Sequence, residues 1–566
     1  MPEDVGSSAG DGASRTEAIE PAVVATALVG AFALRVLYLL HYRVDSDEPQ
    51  HLHVAWGWAH GLVQYRQVFD NHAPLFHVLC APLVRLVGER PDVVLVMRFA
   101  MLPLYVGSLA ATYVIAAALF PARHAAWATA VAALAPGFFL NSVEFRADDL
   151  WAALWLIALA VIVRGRLTGR RATLVGLLLG ATLATSLKTT LLLTSLTIAG
   201  AGALAVTPPS ARASWRTLAG RIAAGLAGLL VVPTVVVLGF AWLRALDPLV
   251  YGTISHNALP GLGLWHKTPQ RILLLPLSVP LLGVGARLLA RTAPTPEVGA
   301  RRTLVFLAAG VYLVLLLGAW PLVTREDFIP VAPLVALLAT SAGMSLVAAF
   351  SSPRRRGAWT MAMPMVAIVL ATQAMLRSSP PWVDATGEST ELVAAVLRLT
   401  TPDEYVMDLK GESVFRRRPY YYVLEYITKE RLERGLLPDS IPEDLVATRT
   451  SVVAEDRNGI PPRGRAFMAA NYLDIGPVRV LGRMLPDGDT AERRRAFEVV
   501  VPGRYAILAE HGTASGALDG VPYDGARWLA AGTHEFVPER DDHFALLWSK
   551  AVETGFVPFF DTGRTS

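Results

Sequence analysis

Three carboxylates and a proline, Asp45-Ser46-Asp47-Glu48-Pro49, stand directly after the first long apolar run of the chain. Charge at the edge of a hydrocarbon layer is costly, and a carboxylate placed there can take a proton from a hydroxyl. The same residues can equally form the acidic start of a solvated helix, where they complement its dipole. The segment continues as Phe69-Asp70-Asn71-His72-Ala73-Pro74-Leu75. His72 can bind a phosphate or a sugar hydroxyl, or simply face water. A second acidic group, Glu144-Phe145-Arg146-Ala147-Asp148-Asp149, opens a later apolar run. The dipole of the helix that follows accounts for it; so does an acceptor or a metal held by two carboxylate clusters with an arginine between them. Arg98 lies near the start of one apolar run, Lys188 between two others, and Arg325 in Thr324-Arg325-Glu326-Asp327-Phe328. Arg98 can snorkel or hold an anionic headgroup. Lys188 can pair with a lipid phosphate or be an ordinary interfacial lysine. The stretch 244–270 adds His256, Asn257, Trp265, His266 and Lys267, an aromatic and basic mixture suited to sugars or phosphates.

These groups sit at the ends of runs long enough to cross a bilayer. Of the 566 residues, 17% are charged and 53% hydrophobic, against about 25% charged in soluble domains, and the mean hydropathy is +0.43. Eleven spans are expected, near 21–41, 93–118, 125–142, 148–163, 172–187, 189–206, 221–243, 271–290, 303–321, 328–349 and 358–376. Runs of about 16 to 24 residues match the length a helix needs to cross a hydrocarbon core of about 30 Å. Arginines crowd the loops 164–171, 207–221, 287–302 and 353–357, which the bias of basic residues places in the cytoplasm. Both flanks of 172–206 are basic, so that segment must be a hairpin turning near 186–190. The N-terminus is then cytoplasmic, and the chain after 377 lies outside with the loops 42–92, 141–148, 186–190, 244–270 and 322–327. Within 42–92, Pro49, Leu52, Ala55, Trp56 and Ala59 suggest a short helix lying on the membrane, and a second interfacial helix ends near Gly88.

The outlying segments are less specific. Residues 1–20 are polar and rich in Gly and Ser, expected to be disordered, with no cleavable signal peptide. Residues 378–485 read as α/β, with a helix at 388–400 and strands at 405–409 and 451–454. Residues 486–566 are β-rich, with turns at Pro502-Gly503, Leu518-Asp519-Gly520 and Ala531-Gly532. They suggest a small β-sandwich, either sugar-binding or a structural cap. The single cysteine, Cys80, excludes an internal disulfide and a cysteine metal site. Lysine occurs only at 188, 267, 410, 429 and 550, a bias that points to a GC-rich bacterial genome and makes a lysine within the membrane portion informative. There is no Walker-type run and no GxGxxG after a strand, which argues against an ATP-driven pump. No internal repeat of the span pattern is evident, which weakens a secondary transporter.

Taken in order, Asp47-Glu48-Pro49, Gly61 and Tyr65, Asn71-His72-Ala73-Pro74-Leu75, Arg98, Arg146-x-Asp148, Lys188 and Arg325 form a set that resembles the polyprenyl-phosphate-sugar-dependent glycosyltransferases of the GT-C fold. The nearest group in pattern is the protein mannosyltransferase and aminoarabinose transferase superfamily. The resemblance covers roughly residues 30–350. It departs from the pattern in three places: Asp45 competes with Asp47, Ala73-Pro74 stands where many relatives have two prolines, and Asp148 and Asp149 are in tandem. The tail from about 380 on does not match the pattern. The resemblance implies a GT-C-like helical membrane domain, and with the spans and tail read above the chain is expected to be an α-helical polytopic membrane protein of about eleven transmembrane helices with a C-terminal soluble α/β plus β-sandwich-like domain. It implies transfer of a hexosyl or pentosyl group, with inversion, from a polyprenyl-phosphate donor to an acceptor hydroxyl at the outer face of the cell (inner) membrane. Asp47 would be the base, supported or replaced by Glu48. Lys188, Arg98, Arg325 and His72 are the candidates for the donor phosphate, and Arg146, Asp148, Asp149 and His256 for the acceptor or a second carboxylate site. The partners are the lipid donor, the bilayer and a glycan, lipid or protein acceptor, with no nucleic acid. No cofactor is required, although paired carboxylates can take a divalent metal. The alternatives are a transporter or flippase of lipid-linked sugars, which should carry polar residues deep in its spans, and a membrane scaffold acting through residues 380–566.

Overall fold

The computed structural model describes residues 8–263, 267–353, 355–454, 459–487 and 493–559, with side chains from residue 18 onward. Trp265 and His266 lie outside the described residues.

The first two-thirds is helical. The helices are α1 (Ser8–His41), α2 (Asp47–Ala59), α3 (Leu75–Val87), α4 (Val93–Arg98), α5 (Leu102–Leu119), α6 (Ala122–Ala133), α7 (Pro136–Asn141), α8 (Ala147–Val163), α9 (Gly169–Thr185), α10 (Thr189–Val206), α11 (Trp215–Trp242), α12 (Leu246–Val250), α13 (Leu274–Arg291), α14 (Pro296–Ala319), α15 (Ala332–Phe350) and α16 (Arg356–Ser378). Among the described residues, eight of the eleven expected spans are long and apolar enough to cross a membrane: α1, the continuous α4–α5 segment, α10, α11, α13, α14, α15 and α16. The other three are helical but short. The span expected at 125–142 is broken into α6 and α7, because Pro136 cannot continue a helix through its own nitrogen and disfavours helical backbone at Ala135. α8 and α9 have 17 residues each. Of the stretch 1–20 expected to be disordered, residues 1–7 lie outside the described residues and helix begins at Ser8. The polar stretch prolongs α1, and Glu20 is fastened by Arg123 Nε at 2.7 Å.

The alternation of loops survives as two ends of one bundle. At one end Arg123 bridges Glu20 to the carbonyl of Gly357 (3.2 Å), and Arg302 donates to the carbonyl of Leu119 (2.9 Å). At the other, the α1–α2, α7–α8, α9–α10 and α14–α15 connections meet. The hairpin at 186–190 is present as the turn between α9 and α10. α9 is pressed onto α11 through the run Gly176-Leu-Leu-Leu-Gly180: a Cβ at Gly176 would stand 2.0 Å from the carbonyl oxygen of Gly225, and one at Gly180 2.4 Å from that of Leu229. Small residues are what let helices close up in lipid, where apolar side chains gain nothing by leaving the acyl chains.

The tail begins with α17 (Gly387–Leu399), β1 (Val406–Met407), α18 (Tyr426–Glu433) and β2 (Val452–Val453). It continues through β3 (Tyr472–Asp474), β4 (Arg479–Met484), β5 (Arg495–Val499), β6 (Gly503–Ala509), β7 (Gly516–Leu518), β8 (Val521–Pro522), β9 (Arg527–Leu529), β10 (Gly532–Pro538) and β11 (Phe544–Trp548). One sheet runs β1-β2-β4-β11-β6-β9, with β3 also on β4; the other runs β5-β10-β7-β8. Val480, Tyr505 and Leu546 of the first share a core with Phe497, Leu518 and Phe536 of the second, so the end of the chain is sandwich-like. The boundary expected at 485 does not separate two folding units, since β11 pairs with both β4 and β6 in the same sheet.

The short helix expected to lie on the membrane, α2, is instead enclosed. Its residues from Glu48 to Gly57 are all buried, and the tail covers it: His53 Nδ1 lies 2.9 Å from the carbonyl oxygen of Val414, and Val414 and Phe415 join its apolar cluster. α3 keeps an outward apolar face at Val78, Leu79, Leu83 and Leu86. The close α9–α11 contact fixes where the Lys188 turn falls, which yields a test. Gly176→Val should lower stability by about 1–3 kcal/mol, the usual cost of overpacking, read as a lower unfolding midpoint in lipid nanodiscs.

Candidate active site

Successive helical residues point about 100° apart, so Asp47 and Glu48 at the start of α2 cannot face the same way. Glu48 turns into the bundle. Its two oxygens take Arg98 Nη2 at 2.6 Å and Nε at 2.7 Å, and they also accept from the backbone nitrogens of Asp45 (2.9 Å) and Phe145 (2.8 Å). Both side chains are wholly buried. The remaining donors of Arg98 go to the carbonyls of Leu39 (3.3 Å), Tyr42 (2.8 Å) and Arg43 (2.7 Å), closing off the end of α1. Arg98 therefore has no donor left for a phosphate, and Glu48 no free lone pair suited to a base. Their pairing locks α1, α2, α4 and the α7–α8 loop together.

Asp47 turns toward the partly open side. Its Oδ1 lies 2.7 Å from Lys410 Nζ and its Oδ2 3.0 Å from Arg146 Nη2. Arg146, immediately before α8, is the hub. It reaches Asp45 (2.8 Å), Asp47, Asp148 (3.2 Å), Glu144 (3.7 Å) and Glu326 (3.7 Å). Arg325 bonds Asp45 at 2.7 Å and Glu144 at 2.8 Å, and pairs with Glu326. Arg43 contacts Asp45 at 3.1 Å and Glu144 at 3.5 Å. Lys188 pairs with buried Asp327, whose other oxygen accepts from the backbone nitrogen of Thr324 (2.9 Å). Exposure separates floor from rim: the side chains of Asp47, Lys188, His72 and Arg325 are 22%, 27%, 31% and 41% exposed, whereas Glu144 is sealed.

Burial alone would raise the Asp47 carboxyl, but Arg146 foremost and Lys410 next hold it well below the usual carboxylate range. Glu144 behaves oppositely. Burial, reinforced by the charges of Asp45 and Glu48, pushes it up to about 10. Around it, the carboxylates Asp45, Asp47, Asp148, Glu326 and Asp327 face the cations Arg43, Arg146, Lys188, Arg325 and Lys410. Arg325 and Lys188, the outward cations, each rest on a carboxylate.

His72 stands beside this cluster. Its Nδ1 is 2.9 Å from Oδ1 of Asp70, a wholly buried carboxylate that also accepts from Gln50 Nε2 (2.8 Å) and Gln64 Nε2 (2.7 Å). His51 and His77 join at 2.8 Å and stack at 5.0 Å. Burial would lower the His72 imidazole, but Asp70 outweighs it and raises it. Two expected site residues fall elsewhere. His256 is not at the cluster: its Nε2 lies 3.0 Å from Glu425 Oε1 and its carbonyl accepts from Arg431 Nε (3.1 Å), so it clasps the 244–270 stretch to the tail next to α18. Asp149, buried in α8, shares the bundle interior with Arg35 rather than with Asp148 and the rim.

Sequence reasoning passed over Lys410, Glu326, Asp327 and Asp70. Lys410 was visible as one of five lysines, but no spacing linked it to Asp47. Glu326 and Asp327 adjoin Arg325 and were legible as its neighbours.

The helical bundle, the acidic loop after its first span and the sandwich-like tail define a GT-C-like polytopic membrane protein. It is similar in fold to the crystal structure of ArnT from Cupriavidus metallidurans in the apo state (TM-score 0.51, 14% identity, covering 80% of this chain and 96% of that one). The same holds for ArnT from that organism bound to undecaprenyl phosphate (TM-score 0.51, 13% identity, covering 81% and 96%). The apo oligosaccharyltransferase of Archaeoglobus fulgidus aligns with a TM-score of 0.48 at 10% identity, covering 92% of this chain and 96% of that one. No family model matches the sequence, and no curated protein matches it.

Two substitutions separate scaffold from titration. Glu48→Gln leaves Arg98 buried without its counter-charge and should cost about 3–5 kcal/mol, read as a lower unfolding midpoint. Glu144 carries the opposite signature. Its folded value lies above its ordinary 4.5, so its contribution is full below 4.5 and drains away as pH climbs toward about 10. Glu144→Gln should therefore flatten the fall of the midpoint across that window.

Proposed function

We propose that the protein transfers a sugar from a polyprenyl-phosphate donor to an acceptor hydroxyl, with inversion, at the outer face of a cell membrane. The observation that carries this reading is the convergence of Asp47, Arg146, Lys188 and Arg325, from four separate connections and helix ends, at one end of a membrane bundle. A donor with a long polyprenyl chain cannot leave the bilayer, which suits a site at the bundle's edge. The likeness in fold to ArnT, one crystal of which holds undecaprenyl phosphate, supports a donor of that class. The basic loops at the opposite end support a cytoplasmic N-terminus and an extracytoplasmic tail.

In this reading the acceptor oxygen attacks the anomeric carbon from the side opposite the phosphate. The new C–O bond forms as the old one breaks, and the electron pair leaves with the polyprenyl phosphate. Asp47 receives the acceptor proton. Lys188 and Arg325, detached from Asp327 and from Asp45 and Glu144, meet the charge growing on the phosphate. In the same reading His72 donates to the donor's sugar or phosphate. Arg146 holds Asp47 and Asp148 in register on the acceptor side. Protein cations neutralise the leaving group, so this reading calls on no cofactor.

The test uses the full-length chain in proteoliposomes with undecaprenyl-phosphate mannose, arabinose and glucose as a donor panel. Wild type should release undecaprenyl phosphate from one of them in the presence of a hydroxyl acceptor. Asp47→Asn should reduce this by roughly 10²–10⁴-fold, and Lys188→Ala should chiefly raise the donor KM. Unaltered turnover in Asp47→Asn removes it from the base role. Movement of the intact lipid sugar across the bilayer without transfer would favour a flippase.

A further inference from the structure

The ammonium at Asp47 arrives from the tail, more than 360 residues away in sequence. The loop that delivers it is built for the purpose. Buried Asp408 accepts from the backbone nitrogens of Gly411 (3.0 Å) and Ser413 (2.9 Å), from Ser413 Oγ (2.6 Å) and from Arg418 Nε (2.7 Å). Glu412 accepts from the backbone nitrogen of Lys410 (2.8 Å). Gly411 has φ +116°, and a Cβ there would lie 2.7 Å from Cβ of His53, so only glycine lets the loop rest on α2. Lys410 then reaches back to the first turn of α2, with Nζ 2.7 Å from Asp47 Oδ1 and 3.0 Å from Ser46 Oγ.

Docking of the tail does not need this ammonium. Arg416 holds Glu89 of the α3–α4 connection at 3.0 Å, His53 holds Val414, and Glu425 holds His256. What Lys410 adds is local to Asp47. One cation sits on each oxygen, Arg146 on Oδ2 and Lys410 on Oδ1. An ionised carboxylate offers about four lone-pair sites, so this grip sets its plane while leaving lone pairs for an approaching hydroxyl.

We propose that Lys410 is a positioning residue for the transfer: the C-terminal domain carries its ammonium to Asp47 and, together with Arg146, holds that carboxylate in its reactive orientation. This rests on Asp47 being the group that receives the acceptor proton. The domain is then a wall of the active site, and its seating on α2 is coupled to turnover. The charged groups facing Asp47 are Arg146 from the start of α8, Lys410 from the tail and His72 from the loop before α3, with Asp45 accepting from its backbone nitrogen at 3.2 Å. Removing Lys410 withdraws one of the two main influences that keep the Asp47 carboxyl low, so its titration must move to higher pH.

Two measurements on the full-length chain in nanodiscs decide this. The first is an infrared titration of the carboxylate band that Asp47→Asn abolishes. Lys410→Met should raise its midpoint, and Lys410→Arg should leave it near wild type. The second is turnover of the donor from the panel that wild type consumes. Lys410→Met should lower kcat by roughly 10- to 100-fold, the penalty of a misplaced group, with donor KM little changed and the acid limb of the pH profile moved upward; Lys410→Arg should restore it. A midpoint and pH profile in Lys410→Met equal to wild type would overturn the proposal, as would loss of activity that Lys410→Arg does not restore. If Asp47→Asn transfers sugar normally, the base assignment fails instead, and the infrared midpoint still reports whether Lys410 grips that carboxylate.

Discussion

Carboxylates gathered at the edge of a hydrocarbon layer can stay ionised only if each has a cation within reach, because burying an unpaired charge costs far more than a fold can spare. That constraint organises this protein. Arg146 lies within 3.7 Å or less of five carboxylates from three connections. Its planar fork can hold several acceptors in fixed directions, which a lysine could not do. The α1–α2, α7–α8 and α14–α15 connections are thereby tied to one another through charge, and the bundle beneath them has to present its helix ends at the right height. α8 begins directly after Arg146 and α9 ends just before the Lys188 turn, which brings both cations to the same end of the bundle.

The neighbours Asp47 and Glu48 show how one helical step divides labour. Glu48, sealed with Arg98, is spent on architecture, and its four hydrogen bonds leave it nothing to exchange. Asp47 is held by two cations from different domains and stays in contact with solvent. A group that must act on a substrate needs that combination of fixed direction and open access. Asp148 and Asp149, both buried, differ in partner: Asp148 is bonded to Arg146, and Asp149 lies near Arg35.

Much of this was legible in the residues. The lengths of the apolar runs located the helices, and the arginine-rich loops placed the turn at 186–190 and sorted the connections to two ends. Alternating and turn-forming residues found the tail's helix at α17 and its early strands. The order of Asp47, Arg146, Lys188 and Arg325 marked the rim. What failed has a common cause. Arg98 looked available because sequence does not reveal that the last carbonyls of α1 and both oxygens of Glu48 would consume its donors. α2 looked like a membrane-surface helix because sequence does not reveal that its apolar residues pack against α3, α4 and, more than 300 residues later, Val414 and Phe415 of the tail. His256 looked like a ligand for sugars and proved to be a clasp to Glu425.

By itself, then, the sequence determined what depends on neighbours along the chain: hydrophobic length, helix and strand periodicity and the grouping of the basic loops. These follow from local backbone chemistry and from transfer into lipid, and both act on short windows. Only the tertiary structure decided which charges neutralise which, that Lys410 meets Asp47 and that β4 and β11 share one sheet across the expected boundary. Electrostatic pairing falls off over a few ångströms and is indifferent to sequence distance, so it cannot be read until the chain has been brought together in space.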